Sequence, residues 1–506
     1  MLNLNNVHTN FAEFVCSFLI FGLITWYCYY LYCFTYWKKK GVPSHPPRFP
    51  TGNITKPLLG QENISVTVKN FYNKFKRKGH KHAGLYFLNG PVYLPIDLEI
   101  VKHILTTDFE HFVDRGTFLD EQNCPLSSML FSMKGLKWKK LRAKLSPMFS
   151  SGKLKSMYGI FMKVTEEFVD VVAHTAQKED EINIKYISSN FTTDIILATG
   201  FGLEGGSLKN PNNRVARVSS SLFYPSTWSL LKTVAIEGLQ NPGNILKASV
   251  CSKFQQDFFQ DLAEKTMKLR DENKIDRQDF FSLLLEAKDK EGFTFNEIVG
   301  QCYMFFLAGF DTSSQTISYC IHQLAHNEDM QDKLRKEIFE NLGTDFRKYT
   351  YEDILKLPYL DKVFHETLRL YPVLGFLNRI CIKPYKVPGT NVVLDKGTPV
   401  LISTLGLQHN PEYFPDPLKF DPERFSEDKP LIPFSFQPFG KGPRSCIGMR
   451  YGKLQTKLGI AALISQFKFL PSPKTPRLVE LDKLAKSLVM ITKKGIVVRV
   501  LKLQGQ

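Results

Sequence analysis

The sequence has no Cys-x-x-Cys pair among its nine cysteines, which argues against a zinc ribbon or a thioredoxin-like redox site. The cysteines stand at 16, 28, 33, 124, 251, 302, 320, 381 and 446. Their number is odd and their spacing irregular, so they do not form the framework of a disulfide-stapled secreted domain. A reducing, cytosolic setting fits most of the chain. There is no self-similarity at the periods of solenoids or propellers, and no low-complexity linker that would split the chain. Glycine and proline show no periodic enrichment, and a hydrophobic share of 43% with 23% charged residues is ordinary for a globular protein. Disordered and collagen-like classes are thereby set aside. Acid is in short supply: 66 Lys+Arg against 49 Asp+Glu leave a formal charge of +17. That surplus calls for acidic partners, whether nucleic acid, anionic lipid or an acidic protein face. The 506 residues suit one large domain or two to three ordinary ones.

From Phe14 to Trp37 there is no charge at all, and the run ends at Lys38-Lys39-Lys40. As a helix it would be about 36 Å long, enough to cross a hydrocarbon core. Trp26, Tyr27, Tyr29, Tyr30, Tyr32, Tyr36 and Trp37 suit a membrane interface at one end. A cleaved signal peptide would carry its basic residues before the apolar run and a small-residue cleavage site after it. The order here is the reverse, which favours an uncleaved anchor with Lys38–Lys40 in the cytosol. Four prolines between Pro43 and Pro50 then predict a stiff extended arm. No second long apolar run follows, so the body is not polytopic.

The body reads as mainly α with a minor β part. Segments 83–88 and 91–96 flank Asn89-Gly90 and predict a hairpin. A helical pattern follows over Asp97–Thr106, and 137–327 is mostly helical. Val392–Ile402 predicts a strand, Gly448–Phe469 a helix and Ile496–Leu501 a strand.

The basic surplus is concentrated. Residues 134–155 hold eight Lys or Arg and no acid. Lys137, Lys140 and Lys144 share one helical stripe, with Trp138 and Arg142 beside it. A solvated face is the ordinary explanation, a docking face for an acidic partner the functional one. Nucleic acid would need more basic surface or aromatics spaced for stacking. A second basic cluster, Lys74 to Lys81, follows the arm and can face anionic lipid.

Four motifs carry chemistry. Phe439-Gly-Lys-Gly-Pro-Arg-Ser-Cys-Ile-Gly448 sets a lone cysteine in a glycine-rich loop just before a helix. A lone cysteine is most often a buried inert thiol. Here Gly442 allows a sharp turn, Gly448 allows a close approach, and the helix start and Arg444 favour a thiolate. A rigidly held thiolate suits iron. Ala308-Gly-Phe-Asp-Thr-Ser313 lies in an apolar run over 295–324. It is either a helix break capped by Thr312 and Gln315 or a distorted long helix. In the second case the Thr312 hydroxyl bonds the Ala308 carbonyl, and Gly309 leaves room for a flat ligand. Glu366-x-x-Arg369 would alone be a surface ion pair of little worth. Phe420-Asp-Pro-Glu-Arg-Phe425 would alone be a turn.

In this order, the four together resemble the cytochrome P450 family, the haem-thiolate monooxygenases, and the anchor and arm fit its microsomal animal branch. The overall texture is most similar to the insect members that metabolise foreign compounds. The resemblance implies the cytochrome P450 fold with an N-terminal transmembrane helix. It implies three parts: tail and anchor over 1–37, basic and proline-rich linker over 38–55, and haem domain over 56–506. It implies haem b as cofactor, with Cys446 as the iron ligand whose electron donation favours O–O cleavage. Arg115, Trp138, Arg142, Arg379 and Arg444 would contact the propionates. Asp311 and Thr312 would be the distal acid–alcohol pair that relays protons to bound oxygen. Glu366 and Arg369 would lock to Arg424 as a structural ion-pair group.

The basic stripe gains a partner by the same resemblance. Lys137, Lys139, Lys140 and Lys144 would steer an NADPH-cytochrome P450 reductase, with cytochrome b5 as a further electron donor. The lipophilic substrate would meet Phe118, Phe305, Phe306, Ala308, Val373 and Phe376, with further contacts near Leu222, Phe223 and Leu488–Met490. For each of these the plain alternative is core packing. O2 is the co-substrate and membrane lipid a contact. No nucleic acid is expected. The location implied is the endoplasmic reticulum membrane with the catalytic domain cytosolic. Two other readings stay open: a haem-thiolate isomerase or synthase acting on peroxides, and a non-catalytic haem-binding protein. Substrate identity and regiochemistry are not written in the sequence.

Overall fold

The computed structural model describes residues 4–117, 119–121, 124–223, 251–273, 279–479, 481, 489–490, 492 and 495–503. Helices dominate. The first, Leu4–Cys33, breaks into a turn before the short helix Tyr36–Lys39. Among the described residues the segment Glu13–Lys39 alone is helical, long and apolar enough to cross a membrane.

The uncharged run is therefore not one continuous helix to Trp37. Its last residues belong to the body. Trp37 is fully buried, and its indole N–H donates to the Leu85 carbonyl at 2.8 Å. The ring sits where Gly84 lacks a side chain: a Cβ there would lie 2.3 Å from it.

Strands β1 (His82–Phe87) and β2 (Gly90–Pro95) form the expected hairpin, but with Phe87 paired to Gly90. The two-residue turn is thus Leu88-Asn89, one position earlier than the Asn-Gly pair suggested. Leu88 takes the positive φ of +54° that the turn requires. The segment 392–402 is two strands, β6 (Val393–Leu394) and β7 (Pro399–Ile402), separated by a turn with Gly397 at φ +92°. Strand β7 joins β2 and β4 (Leu377–Ile380) in a four-stranded sheet of order β1-β2-β7-β4. Strand β5 (Tyr385–Lys386) pairs with β6. The last long helix, Met449–Gln466, stops three residues short of the expected end. Phe467–Pro471 becomes β8, paired with β9 (Val497–Lys502), which also pairs with β3 (Glu181–Asn183).

Two apolar cores result. One lies beneath the four-stranded sheet and includes Trp37, Tyr86, Tyr93, Val400 and Ile402. The larger surrounds the helix Phe295–His326, which packs on the helices Ile184–Ile196 and Met449–Gln466. This long helix opens with a capping box of Thr294 and Glu297 and runs unbroken through Ala308–Ser313. Thr312 and Gln315 therefore do not cap a break.

Candidate functional site

The cysteine loop is pinned by its own backbone. The Cys446 N–H donates to Phe439 O at 2.8 Å, and the Ser445 N–H to Gly442 O at 2.9 Å. Gly442 stands at φ +74°, and a Cβ there would lie 1.9 Å from the Leu105 carbonyl oxygen. Only glycine allows this turn against that neighbour. Gly448 caps the following helix, and a Cβ on it would make only ordinary contact with Phe149, 3.6 Å away. Among protein atoms it is therefore not tightly crowded.

Cys446 combines two properties that rarely coincide. Burial pushes its thiol above the usual cysteine value, opposed by a hydrogen bond from Gly448 N–H and by Arg142 and Arg115. Yet the residue is exposed, so the sulfur lies well inside the protein and still faces accessible space. The two facts describe an internal slot. Arg444, which the sequence set beside the sulfur, does not act on it. Its guanidinium donates to the carbonyls of Val113, Leu130, Phe131 and Met133 and lies 4.0 Å from the Trp138 ring centroid. Arg444 thus ties the loop to residues 113–133.

Four guanidiniums converge here. Trp138, buried, and Arg142, half-buried, share one face of the helix Gly135–Leu145. Arg379 comes from β4, whose Ile380 N–H donates to Asp114 O at 2.9 Å while Asn378 Nδ2 donates to Arg115 O at 2.8 Å. Those bonds bring Arg115 and Arg379 together. Arg115 donates to the Arg444 carbonyl at 3.1 Å and lies 4.1 Å from the Phe131 ring centroid. Burial, then the neighbouring Arg142, hold Arg115 down at about 10, even against the Cys446 sulfur. Arg379 is lowered well below its usual value by burial and then by Arg115 and Arg444. Arg444 falls to about 9 through burial and Arg115, against the partial support of Asp114. Asp114, 3.8 Å from Arg444, is the carboxylate that faces them among the described residues. Nε of Arg115 and Nε of Arg379 are buried with no hydrogen-bond partner. Buried positive charge with orphaned donors is costly unless an anion meets it. A ligand with two carboxylates would satisfy these donors.

Across the slot stands the long helix. Gln455 Nε2 donates to Gly309 O at 3.3 Å, so the cysteine helix crosses the long helix at this turn. Phe306 and Phe310 are buried, whereas Ala308 is exposed and Thr312 half-exposed, one turn apart on one face. Thr312 Oγ1 donates to Ala308 O at 2.7 Å, as the sequence suggested. Gly309 plays another part than expected. A Cβ on it would lie 2.1 Å from Ile196 Cδ1, so its bare face admits the helix Ile184–Ile196. Ala308 is the residue on the open side.

Asp311 is buried and faces away from that side, toward the helix Ile184–Ile196. Lys185 Nζ donates to Asp311 Oδ1 at 2.6 Å, and Gln315 Nε2 donates to Oδ2. Lys185 also reaches Ser314 and Ser189. Lys185 was missed in the sequence, where its one signal is a lone lysine in a largely apolar and hydroxyl-bearing helix.

The Glu366–Arg369 pair is no surface decoration. Both side chains have zero exposure. Arg369 grips Glu366 through two bonds of 2.6 and 2.8 Å and donates to the carbonyls of Gln408, Pro417 and Lys419. Glu366 also accepts the Asp421 N–H at 2.8 Å, and Arg424 Nε stands 3.5 Å away. Burial pushes the Glu366 carboxyl up and Arg369 pulls it back.

Several pocket expectations give way to packing. Phe305 stacks on Phe280 at 4.3 Å and meets Tyr451, Phe201 and Phe149, so it is core. Phe306 packs among Phe258, Phe259 and Phe310. Phe376 is buried in the sheet core, and Val373 is half-buried with its carbonyl taken by Met490 N–H. Phe118, Leu488 and the Phe223 side chain lie outside the described residues. On the basic helix, Lys137 is held by Glu121 and Glu297, both at 2.8 Å. Lys144 covers the Phe293 ring. Lys139 and Lys140 are exposed and form no ion pair among the described residues, beside Leu136, which is 74% exposed.

Comparison with known proteins gives the same picture over almost the whole chain. The family model described as Cytochrome P450 matches residues 46–499. Probable cytochrome P450 6a20 of Drosophila melanogaster is 36% identical over 496 residues, covering 95% of this chain and 98% of that protein. Cytochrome P450 6A1 of Musca domestica is 36% identical over 457 residues, covering 87% and 89%. Cytochrome P450 6k1 of Blattella germanica is 34% identical over 501 residues, covering 94% of each.

Proposed function

The chain belongs to the cytochrome P450 family, and on that premise we propose that the slot between Cys446 and Ala308–Thr312 holds the haem and is the catalytic site. The protein is a haem-thiolate monooxygenase that binds haem b, uses O2 and takes electrons from a redox partner to oxidise an organic substrate. The observation that carries the site assignment is the accessible thiol set deep beneath a cluster of arginines with orphaned donors.

The residues fit the cofactor. An iron ion would deprotonate the Cys446 thiol that burial otherwise keeps neutral. Arg115 and Arg379 have Nε donors for two propionates, and Arg142 adds charge. Arg444 and Trp138 would act mainly by holding the loop and the basic helix together. When bound, the haem supplies activation of O2 and insertion of one oxygen atom into a C–H bond.

The protein supplies position and protons. The Thr312 hydrogen is committed to the Ala308 carbonyl, so its oxygen is left as an acceptor for a ligand in the slot. Asp311 is the next group back. Lys185 now bonds its carboxylate, so Asp311 would relay a proton only after turning from that lysine to water, taking the proton from solvent and passing it on through water toward Thr312. Ala308 sets the floor against which a lipophilic substrate lies. An accessible distal hydroxyl supports the oxygen-inserting reading over a peroxide isomerase.

The finer assignments belong to this proposal. The electron donor is an NADPH-dependent flavoprotein reductase, docked on Lys139, Lys140 and Leu136, with cytochrome b5 as a second donor. The helix Leu4–Cys33 anchors the protein in the endoplasmic reticulum membrane with the body in the cytosol. The chain divides into anchor 1–37, linker 38–55 and haem domain 56–506.

The test is the spectrum of the reduced, CO-bound protein together with NADPH use in the presence of reductase. Cys446→Ala abolishes the red-shifted Soret band; a variant that kept it would overturn the ligand assignment. Thr312→Ala diverts electrons from product to peroxide and water. Unaltered, fully coupled turnover in that variant would remove the proton-delivery role.

A further inference from the structure

The arm that follows the anchor is folded back against it. The Phe49 ring centroid lies 4.7 Å from Trp26, 5.1 Å from Tyr27 and 5.2 Å from Tyr30. Amphipathic rings of this kind settle at the level of lipid headgroups. The face of the body that carries residues 45–56 is thereby placed at that level.

That face holds a pocket of about 230 Å³ lined by His45, Arg48, Asn53, Lys56, Glu62 and Phe71, among others. It lies apart from the cysteine slot, and neither the fold nor the redox chemistry accounts for it. Its charge is mainly positive. Arg48 is exposed and forms no ion pair among the described residues. Lys74 Nζ stands 3.1 Å from His45 Nδ1, so the neutral ring accepts from the ammonium. Burial, then Lys74, Arg48 and Lys78, push His45 below its usual value. The pocket's carboxylate, Glu62, is already engaged by Thr67 and Asn70 and lies 3.8 Å from Lys56. Phe49 is 39% exposed and Leu59 64% exposed. The feature is a cationic pocket with apolar residues near it, at headgroup level.

We propose that this pocket is a docking site for the headgroup of an anionic membrane lipid, with Arg48 and Lys56 as the principal cations and Phe49 and Leu59 reaching toward the acyl region. The proposal rests on the reading of Leu4–Cys33 as a membrane anchor. The bound lipid would fix the tilt of the body through the arm, and would act on orientation rather than on the chemistry at Cys446.

The experiment uses the full haem-loaded chain in dodecyl maltoside micelles, titrated with fluorescent phosphatidylserine and separately with fluorescent phosphatidylcholine. Phosphatidylserine binds on the order of tenfold more tightly, and the Arg48→Ala, Lys56→Ala double variant loses that preference. Both side chains are on the surface, so an unchanged CO spectrum verifies that the fold is intact. Lys178→Ala with Lys288→Ala removes the same charge from remote exposed positions and keeps the preference. An unchanged preference in the first variant, or an equal loss in the second, overturns the proposal. Flotation of the wild-type chain with pure phosphatidylcholine vesicles tests the anchor separately. Failure to float with the preference intact removes the anchor reading alone. Flotation without the preference removes the pocket alone.

Discussion

Two regions of this protein bury several charges each, and they balance them to very different degrees. Around Glu366 one fully buried carboxylate is shared by Arg369 and Arg424, and the carbonyls of Gln408, Pro417 and Lys419 take the spare donors of Arg369, leaving Arg424 Nε as the one buried guanidinium nitrogen there with no hydrogen-bond partner among the described residues. Around Cys446 four arginines face one carboxylate, and two Nε donors have no partner. Buried charge that is balanced internally holds the chain together. Buried charge left unbalanced is held ready for something the chain does not contain.

The largest expected effect comes from unbalancing the balanced region. Glu366→Gln removes the negative charge that meets Arg369 and leaves a guanidinium with no exposure facing an amide. Breaking a buried pair on one side costs about 3–5 kcal/mol. The variant should show a lowered midpoint in chemical denaturation and little haem incorporation. A stable, haem-loaded Glu366→Gln protein would end the distinction drawn above.

Acid should attack this region through His409, and the long central helix through His322. His409 is pushed down to about 3 by burial and by Lys69, with Arg369 adding to it, and His322 to about 4 by burial and His326. Both folded-state values lie below the ordinary 6.5 of an unfolded histidine. The folded state therefore binds fewer protons, and stability is full above about pH 6.5 and falls as pH drops toward 4. At pH 5 each histidine should cost about 2 kcal/mol. Equilibrium unfolding measured from pH 7.5 to 4.5 reads this. His322→Gln should flatten its share of the slope.

The unbalanced region predicts the opposite sign for stability. Arg379→Met deletes a buried cation that has no counter-charge in the chain itself. The haem-free protein should keep its unfolding midpoint or gain slightly, while haem is lost faster, by about tenfold. Thermal unfolding of the haem-free chain and haem transfer to an acceptor protein separate the two effects. A fall in haem-free stability like that of Glu366→Gln would show that Arg379 is structural after all.

How much of this was legible beforehand follows from the range of each interaction. The cysteine loop, the Thr312–Ala308 bond and the Glu366–Arg369 pair are local, so spacing marked them as candidates and the resemblance of the motifs taken together gave them their roles. Burial of that pair was not local. It depends on the chain returning at Gln408, Pro417 and Asp421, which no pattern near Glu366 reveals. Lys185 meets Asp311 across 126 residues, and only the packing of two helices makes the pair. The Gly309 reading failed for a similar reason: a glycine announces close approach without saying by whom. The hairpin turn slipped by one residue because pairing across the sheet placed Leu88 at positive φ. Phe305 and Phe306 were placed in the pocket by the family resemblance, and their apolar character could not separate that from core packing.

The smallest effect tests whether the rule extends to the surface. On the basic helix, Lys137 is held by Glu121 and Glu297, whereas Lys139 and Lys140 are exposed with no ion pair among the described residues. By the logic of the interior, Lys137 is part of the structure, and the other two await a partner. The three were indistinguishable in sequence, since all lie on one charged stretch. Lys139→Ala with Lys140→Ala should lower reductase-supported turnover a few-fold at low salt and weaken its dependence on ionic strength. Turnover driven by added peroxide should not change, because that route needs no docking. Lys137→Ala should leave both rates nearly intact and cost a few tenths of a kcal/mol in stability, as exposed ion pairs do. If Lys137→Ala instead carries the salt dependence, then an internal ion pair does not disqualify a surface lysine from docking. The balance of charge would then separate structure from function only where water is excluded.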